Sequence, residues 1–321
     1  MVRLAASTVA VATLSPAKAQ TKGPRVGYVY LYKEGPTAPF LEAFRARMGE
    51  LGWVDGRNAR IEPRDAQGNQ ERLAAIMREL VDTQVDVIVA MCTPEARVAA
   101  RMTSTIPIVM AATGDPVAAK LVTSMARPGG NVTGVSAMLV ELSAKRLQLL
   151  KDAFPDVTRA TIIWNPERPD NAPELSAMQA AAERLGVKLA SRPVRTVEEL
   201  ATELDAIASG SNQALLNLGD PMIGGQVARI VGFAAARRLP ALFEERSFVD
   251  GGGLMSYGPN FERMHRRAAE YVDRILKGAK AADLPIEQPT TFEFVINLNA
   301  AKAQGFTIPQ SVLLRADQVI R

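Results

Sequence analysis

The strongest constraint on the fold is an alternation of short apolar runs with stretches of helical periodicity, which begins near residue 25. Val26 to Leu31 is β-branched and aromatic and predicts a strand, and apolar residues then recur at helical spacing from Phe40 to Leu51. Val85 to Met91 is apolar apart from Asp86, as in a strand that is covered on both faces. No hairpin signal separates these elements, so the sequence predicts a parallel sheet with right-handed crossovers.

The rest of the first half follows the same order. Leu73 to Val81 has helical periodicity, and Thr93-Pro94-Glu95 predicts another helix start, with a cap, a proline at the first position and an early acid. Ile106 to Ala112 is predicted to be a buried strand. Asp115-Pro116 is predicted to begin a further helix in the same way as Thr93-Pro94, with a cap followed by a proline.

The second half repeats this pattern. Thr161 to Trp164 predicts a strand followed by a helix that ends at Leu185, and Val187 to Val194 predicts the next strand. Thr196-Val197-Glu198-Glu199 is a capping box, and Ala214 to Leu218 is a strand followed by a further helix. The chain is long enough for two domains with separate cores. The predicted fold class is therefore α/β, with two doubly wound parallel-sheet units.

The tripeptide Gly-Asp-Pro occurs directly after an apolar strand in both halves, at residues 114–116 and 219–221. In open parallel sheets, ligands bind at the carboxyl edge of the strands. Each half therefore has a polar loop and a helix N-terminus at its binding edge. Two such edges that face each other would form a cleft.

The N-terminus predicts export. Arg3 is a short positive region, Leu4 to Leu14 is apolar, and Ala17-Lys18-Ala19 is a cleavage pattern, so residues 1–19 are predicted to be a signal peptide and the protein to be periplasmic. A disordered apolar N-terminus is the alternative. Removal of Arg3 and Lys18 lowers the formal net charge from +4 to +2, which gives no reason to expect nucleic acid as a partner.

Residues for enzymatic chemistry are scarce. The one histidine, His265, lies in a helical stretch and is predicted to be a surface or interface residue rather than a base. The one cysteine, Cys92, is predicted to be a small buried hydrophobic residue near a strand end. One His and one Cys cannot form a zinc-type cluster, and the glycine pairs match no nucleotide-binding motif. We expect no catalysis, no cofactor and no metal.

Polar residues at strand ends are the candidates for binding a solute. Asp115 and Asp220 could bind an amine of the ligand, although an Asp before Pro at a helix start is usually a cap. Tyr28, Tyr30 and Tyr32 share one face of the first strand, and Tyr32 is the one expected beside a ligand ring. The predicted ligand-binding residues are Tyr32, Thr93, Pro94, Thr113, Asp115, Asn165, Asp220 and Tyr257.

Several segments together resemble the solute-binding proteins of ABC transporters, in the family whose members include tryptophan- and phenylalanine-type binders. The resemblance extends from about residue 25 to the C-terminus. It departs from the family's pattern in the first loop, where Leu31-Tyr32-Lys33-Glu34-Gly35 replaces small residues. The matching segments are residues 39–44, 51–58, 104–109, 114–117, 126–134, 252–258, 271–279, 287–290 and 296–298.

The resemblance implies the type I periplasmic-binding fold, with two lobes joined by three crossings. The crossings are expected near 131–135, 255–257 and 285–290, so one lobe would comprise 24–133 plus 256–286 and the other 134–255 plus 287–321.

The resemblance also implies a function. A monomer would bind an aromatic amino acid or aromatic carboxylate by hinge closure and deliver it to an ABC permease served by ATPase subunits. Contact with the membrane would be through the permease only. Branched-chain or other small carboxylates and sugars stay open as ligands. A periplasmic ligand sensor of the same fold, which signals to a partner protein, is the alternative function.

Overall fold

The computed structural model describes residues 23–31, 37–207 and 213–321. Their strands form two sheets of five and seven strands. The predicted signal peptide at residues 1–19 and the predicted ligand residue Tyr32 lie outside the described residues. None of the helices in the described part is long and apolar enough to cross a membrane.

The first sheet has the order β2-β1-β3-β4-β5, and all of its pairings are parallel. Apolar clusters cover both of its faces, as the continuous apolar runs predicted. We call this sheet and the helices packed on it lobe 1. Its strands are β1 (Arg25–Tyr30), β2 (Arg60–Asp65), β3 (Val87–Ala90), β4 (Ile108–Thr113) and β5 (Val132–Ser136). Its helices are α1 (Thr37–Glu50), α2 (Gln70–Asp82), α3 (Thr93–Met102) and, after the chain returns from the other sheet, α10 (Phe261–Leu276).

The second sheet and its helices form lobe 2, in which the strand order is β12-β11-β10-β9-β8-β6-β7. The sheet is parallel except that β11 runs antiparallel to β10. Its strands are β6 (Arg159–Trp164), β7 (Lys188–Pro193), β8 (Gln213–Asn217), β9 (Ala241–Phe243), β10 (Met255–Pro259), β11 (Phe292–Asn297) and β12 (Gln318–Ile320). Its helices are α4 (Leu139–Ala153), α5 (Asn171–Leu185), α6 (Val197–Ala206), α7 (Pro221–Gly224), α8 (Val227–Ala236), α9 (Arg246–Asp250), α11 (Leu298–Gln304) and α12 (Gln310–Leu313).

Strand membership shows where the chain passes between the sheets. β5 belongs to lobe 1, and α4, which packs in lobe 2, begins three residues after it. β10 belongs to lobe 2 and is followed directly by α10 on lobe 1. The first and third connections run side by side, since Ser136 N donates to Glu287 O at 2.8 Å and Glu287 N donates to Gly134 O at 3.0 Å. The lobe limits given from the sequence stay a prediction.

Two local expectations differ from the structure. The predicted helix after Asp115-Pro116 is wrong, because residues 116–120 form turns without a helix. Strand β2 was not predicted, because it is charged and contains Pro63, which argues against a central strand. β2 lies at the edge of the sheet, where a proline is tolerated.

Candidate functional site

The carboxyl ends of both sheets face each other across a closed cleft. The Thr93 hydroxyl of lobe 1 donates to Asp170 Oδ2 of lobe 2 at 2.5 Å. Gly114, just after β4, lies so close to Asp170 that a Cβ there would be 2.5 Å from the Asp170 Cγ. The lobes are therefore in direct contact at this end of the cleft.

Helix α3 begins where the sequence predicts, but its capping residue differs from the predicted one. Cys92 is the N-cap, and Thr93 is already the first helical residue, so its hydroxyl is free to cross the cleft to Asp170. Glu95 is fully buried, and its carboxylate accepts from Leu31 N at 2.7 Å and from Cys92 N at 3.1 Å. Burial raises the pKa of Glu95. Glu95 thereby ties the end of β1 to the start of α3 at the rim of the cleft.

Asp220 is buried in lobe 2 and has two structural roles. Its Oδ1 accepts from Met222 N at 2.9 Å and Ile223 N at 3.1 Å, which caps α7. Its Oδ2 accepts from the Asn165 amide at 3.0 Å, so the loops after β6 and β8 are joined. Burial raises the pKa of Asp220.

Arg168 is a buried cation of lobe 2 that borders the cleft. Its Nη1 donates to Gly219 O at 2.5 Å, and its Nε lies 3.5 Å from Asp170 Oδ2 without forming a hydrogen bond. Only 7% of the Arg168 side chain is exposed, yet it lines small cavities that also touch lobe 1. Sequence reasoning stopped at Asn165 and missed Arg168 and Asp170. Their signal was a loop of prolines and charges directly after a strand.

Two further carboxylates, Glu244 and Glu245, follow β9. Glu244 accepts from Gly219 N at 2.8 Å, and its carboxylate lies 3.0 Å from the Arg146 guanidinium, which is itself fully buried. Glu245 is half-buried, and burial, followed by the nearby Glu244 charge, raises its pKa to about 7. The lobe 2 wall of the cleft is therefore rich in charge.

The lobe 1 wall is mainly aromatic and neutral. Phe40 stacks on His265 with ring centroids 5.1 Å apart and an interplanar angle of 5°, and it also packs on Phe261. His265, expected at a surface or an interface, is not at the surface: it lies on the buried face of α10, packs against Tyr28 and Phe40, and lines a small cavity between the lobes. Cys92 is buried as predicted, and desolvation raises the pKa of its thiol.

The structure brings together part of the predicted set. Pro94, Asn165 and Asp220 line one small cavity between the lobes. Thr113 is fully buried at the end of β4, and its Oγ1 has no hydrogen-bond partner among the described residues. Asp115 is exposed and its carboxylate caps the following turn, through Val117 N at 2.9 Å and Ala118 N at 3.0 Å. Tyr257 is half-buried and packs on Phe292 and Phe294 of its own lobe.

No group of His, Cys, Asp and Glu in residues 23–31, 37–207 and 213–321 could hold a metal ion. Two doubly wound lobes that close on a polar gap define the class of binding proteins that trap a solute between their lobes. The chain belongs to the ABC transporter substrate binding protein family, whose model matches residues 41–320. It is a solute-binding protein of an ABC transporter and not an enzyme.

Relatives of known structure or ligand agree with this assignment. The ABC domain in complex with L-Trp from Streptococcus pneumonia is 27% identical, with a TM-score of 0.86 over 93% of this chain and 100% of that one. A conserved domain protein from Vibrio cholerae is 28% identical, with a TM-score of 0.84 over 93% of this chain and 100% of that one. A tyrosine-binding protein of Clostridioides difficile is 27% identical over 262 residues, which is 82% of this chain and 75% of that protein.

Proposed function

We propose that this protein captures an aromatic amino acid between its two lobes in the periplasm and delivers it to an ABC permease. The observation that carries the proposal is the contrast between the two walls of one cleft. Lobe 2 supplies a buried cation, Arg168, and an acidic group, Glu245, and lobe 1 supplies the rings of Phe40 and Phe261. An aromatic amino acid has a carboxylate, an ammonium and a ring, which these groups complement.

The spaces between the lobes support this orientation. A cavity of about 30 Å³ is bordered by Arg168 and Glu245 on one side and Phe40 and Phe261 on the other. A chamber of about 640 Å³ lies beside it and shares Phe40, Glu245 and Phe261 with it. That volume is in the range of small-molecule sites. The head group would lie at Arg168 and the ring would extend along Phe40.

Ligand binding would work by selecting the closed state. A solute that touches both lobes stabilises closure by the difference between its affinities for the closed and open states. The Thr93–Asp170 hydrogen bond joins the two lobes and would be broken when they open. The closed pair of lobe faces is the surface that a permease would recognise.

The test is to identify the ligand directly. Mass spectrometry of small molecules released from purified protein, followed by calorimetry with L-tryptophan, L-tyrosine, L-phenylalanine and L-leucine, should show binding of the aromatic acids. Tryptamine, which lacks the carboxylate, should bind at least tenfold more weakly than L-tryptophan if Arg168 binds that group. Binding of L-leucine or a sugar in preference to all three aromatic acids would contradict the proposal.

Export can be tested separately. The A-x-A pattern at residues 17–19 places the mature N-terminus at Gln20. Intact-mass analysis of protein from the periplasmic fraction should give a chain that begins there. Recovery of the full-length chain in the cytoplasmic fraction alone would contradict this part of the proposal.

A further inference from the structure

His265 and Tyr28 form an isolated polar pair inside lobe 1. Tyr28 Oη and His265 Nδ1 lie 2.7 Å apart, and both side chains are fully buried. The Phe40 ring, stacked on the imidazole, fixes the plane of that ring. β1, through Tyr28, and α1, through Phe40, therefore hold in one orientation the imidazole that α10 carries.

Burial determines the charge of this pair. Desolvation lowers the pKa of His265 to about 3 and raises the pKa of Tyr28 well above its ordinary value. At neutral pH the imidazole and the phenol are thus both uncharged. One ring nitrogen of a neutral histidine is a donor and the other is an acceptor.

The hydrogen bond to Tyr28 selects the tautomer. In the part of the chain that the structure describes, the Tyr28 hydroxyl has no other hydrogen-bond partner. If Nδ1 donated instead, the hydroxyl proton would have no acceptor among the described residues, so the arrangement in which the phenol donates to Nδ1 is favoured. The proton of the imidazole is then on Nε2.

The other ring nitrogen, Nε2, is buried without a hydrogen-bond partner among the described residues. His265 lines the small interlobe cavity, and Arg168 lines the same cavity from the opposite lobe. The Nε of Arg168 is likewise buried and has no hydrogen-bond partner within the described chain, although it lies 3.5 Å from Asp170 Oδ2. Buried donors normally have a hydrogen-bond partner, and these two donors belong to residues that line the same cavity, which indicates a place there for an acceptor group.

We propose that His265 contacts the ligand by donating its Nε2–H to the solute carboxylate, opposite Arg168, and that Tyr28 is the positioning residue that fixes this tautomer. The inference rests on the proposed function of the same cleft. A carboxylate has two oxygens and can accept from both lobes at once. His265 would then make the recognition of the carboxylate depend on closure, because lobe 1 supplies one of its two donors.

The first test needs no variant, because the chain contains one histidine. Ring ¹⁵N spectra of uniformly labelled protein should show Nδ1 unprotonated and Nε2 protonated, and saturation with L-tryptophan should shift the Nε2–H signal. An unprotonated Nε2, or an Nε2 signal that does not move while calorimetry shows L-tryptophan bound, would overturn the inference and leave the proposed function intact. Failure of the unaltered protein to bind any aromatic acid would instead remove the proposed function.

Variants then measure the contact. His265→Phe should weaken L-tryptophan about 10- to 100-fold and leave tryptamine within about twofold, because tryptamine has no carboxylate to accept the bond. His265→Gln, whose amide can donate in place of Nε2–H, should restore most of the affinity. Equal losses for L-tryptophan and tryptamine would contradict a carboxylate contact.

Tyr28→Phe is the matched control for the positioning role. It should leave the ring of His265 in place but release the tautomer, so that both nitrogens give partly protonated ¹⁵N signals and L-tryptophan weakens about three- to tenfold. A ring that keeps its proton on Nε2 in Tyr28→Phe would show that Tyr28 does not position it.

Discussion

The two Gly-Asp-Pro loops have the same three residues shortly after a strand, yet their glycines and aspartates make different tertiary contacts. Asp115 is exposed and caps a turn, whereas Asp220 is buried, caps α7 and binds Asn165. Gly114 lies against Asp170 of the other lobe, and Gly219 lies against Glu244 of its own lobe. Local sequence therefore fixes the cap in both loops, and the surrounding fold decides whether the loop serves closure or the stability of one lobe.

The largest difference is expected when each aspartate is removed. Asp220→Ala leaves the N–H groups of Met222 and Ile223 and the Asn165 amide without their acceptor, so the free energy of unfolding should fall by about 3 kcal/mol. Asp115→Ala removes an exposed cap and should cost about 1 kcal/mol or less. Urea unfolding measures both values.

The two tryptophans allow each lobe to be followed separately in this experiment. Trp53 is in lobe 1 and Trp164 is in lobe 2, so fluorescence of the Trp53→Phe background reports the lobe that contains Asp220. Asp220→Asn is the control, since its Oδ1 can still cap α7. Equal losses for Asp115→Ala and Asp220→Ala would show that the two loops are equivalent.

Replacing each glycine with alanine should distinguish an effect on closure of the lobes from an effect on folding. Gly114→Ala would place a Cβ 2.5 Å from the Asp170 Cγ across the cleft, which opposes the closed state by about 1–3 kcal/mol. Ligand affinity should fall about 10- to 100-fold while the midpoint of unfolding without ligand stays unchanged. Calorimetry with L-tryptophan and small-angle scattering measure affinity and opening.

Gly219→Ala is the matched substitution in the other loop. Its Cβ would lie 2.0 Å from Glu244 Oε1 within lobe 2, so the unfolding midpoint should fall even without ligand. If Gly114→Ala lowers that midpoint as much as Gly219→Ala does, the contact of Gly114 with Asp170 contributes to folding and not only to closure of the lobes.

The hydrogen bond across the cleft should have a smaller effect. Thr93→Val removes the donor to Asp170 Oδ2 and the acceptor of the long bond from Gly114 N at 3.3 Å, but it keeps the shape of the side chain, so the closed state loses about 1–1.5 kcal/mol and affinity falls about tenfold. Thr202→Val, on an exposed face of α6, is the control and should leave affinity unchanged. Unaltered binding by Thr93→Val would mean that Asp170 and Thr93 do not contribute to closure.

Sequence reasoning predicted the fold well where the pattern is local. The apolar runs gave the central strands, and Thr196 caps α6 through Glu199 N at 3.1 Å as predicted, although the Glu199 carboxylate accepts from Arg195 N rather than from the Thr196 N–H of a full capping box. The prediction failed where contacts between residues distant in sequence determine whether a side chain is buried. The exposed Asp115 and the buried Asp220 have the same neighbours in sequence, and only the fold distinguishes them.

The location of the candidate site was predictable from the sequence, but only some of its residues were. Strand ends located Asn165 and Asp220, and the polar loop after β6 could have suggested Arg168. His265 could not be found in this way, because its role depends on Tyr28, which is 237 residues away in sequence. Helical periodicity reports which face of α10 is apolar but not which strand lies under it.

The smallest expected effect is a pH dependence that Asp220 adds to the stability of lobe 2. Burial raises the pKa of Asp220, and Arg168 and the hydrogen bonds from Ile223 and Asn165 partly offset that rise. Because the folded carboxyl holds its proton more tightly than the unfolded one, the free energy of unfolding falls as pH rises from about 3.9 to the native pKa and is constant above it. The difference in unfolding free energy between the unaltered protein and Asp220→Asn, measured by urea titration from pH 3 to 7, should show this fall. A difference that increases with pH would mean that the bonds to Asp220 outweigh its burial.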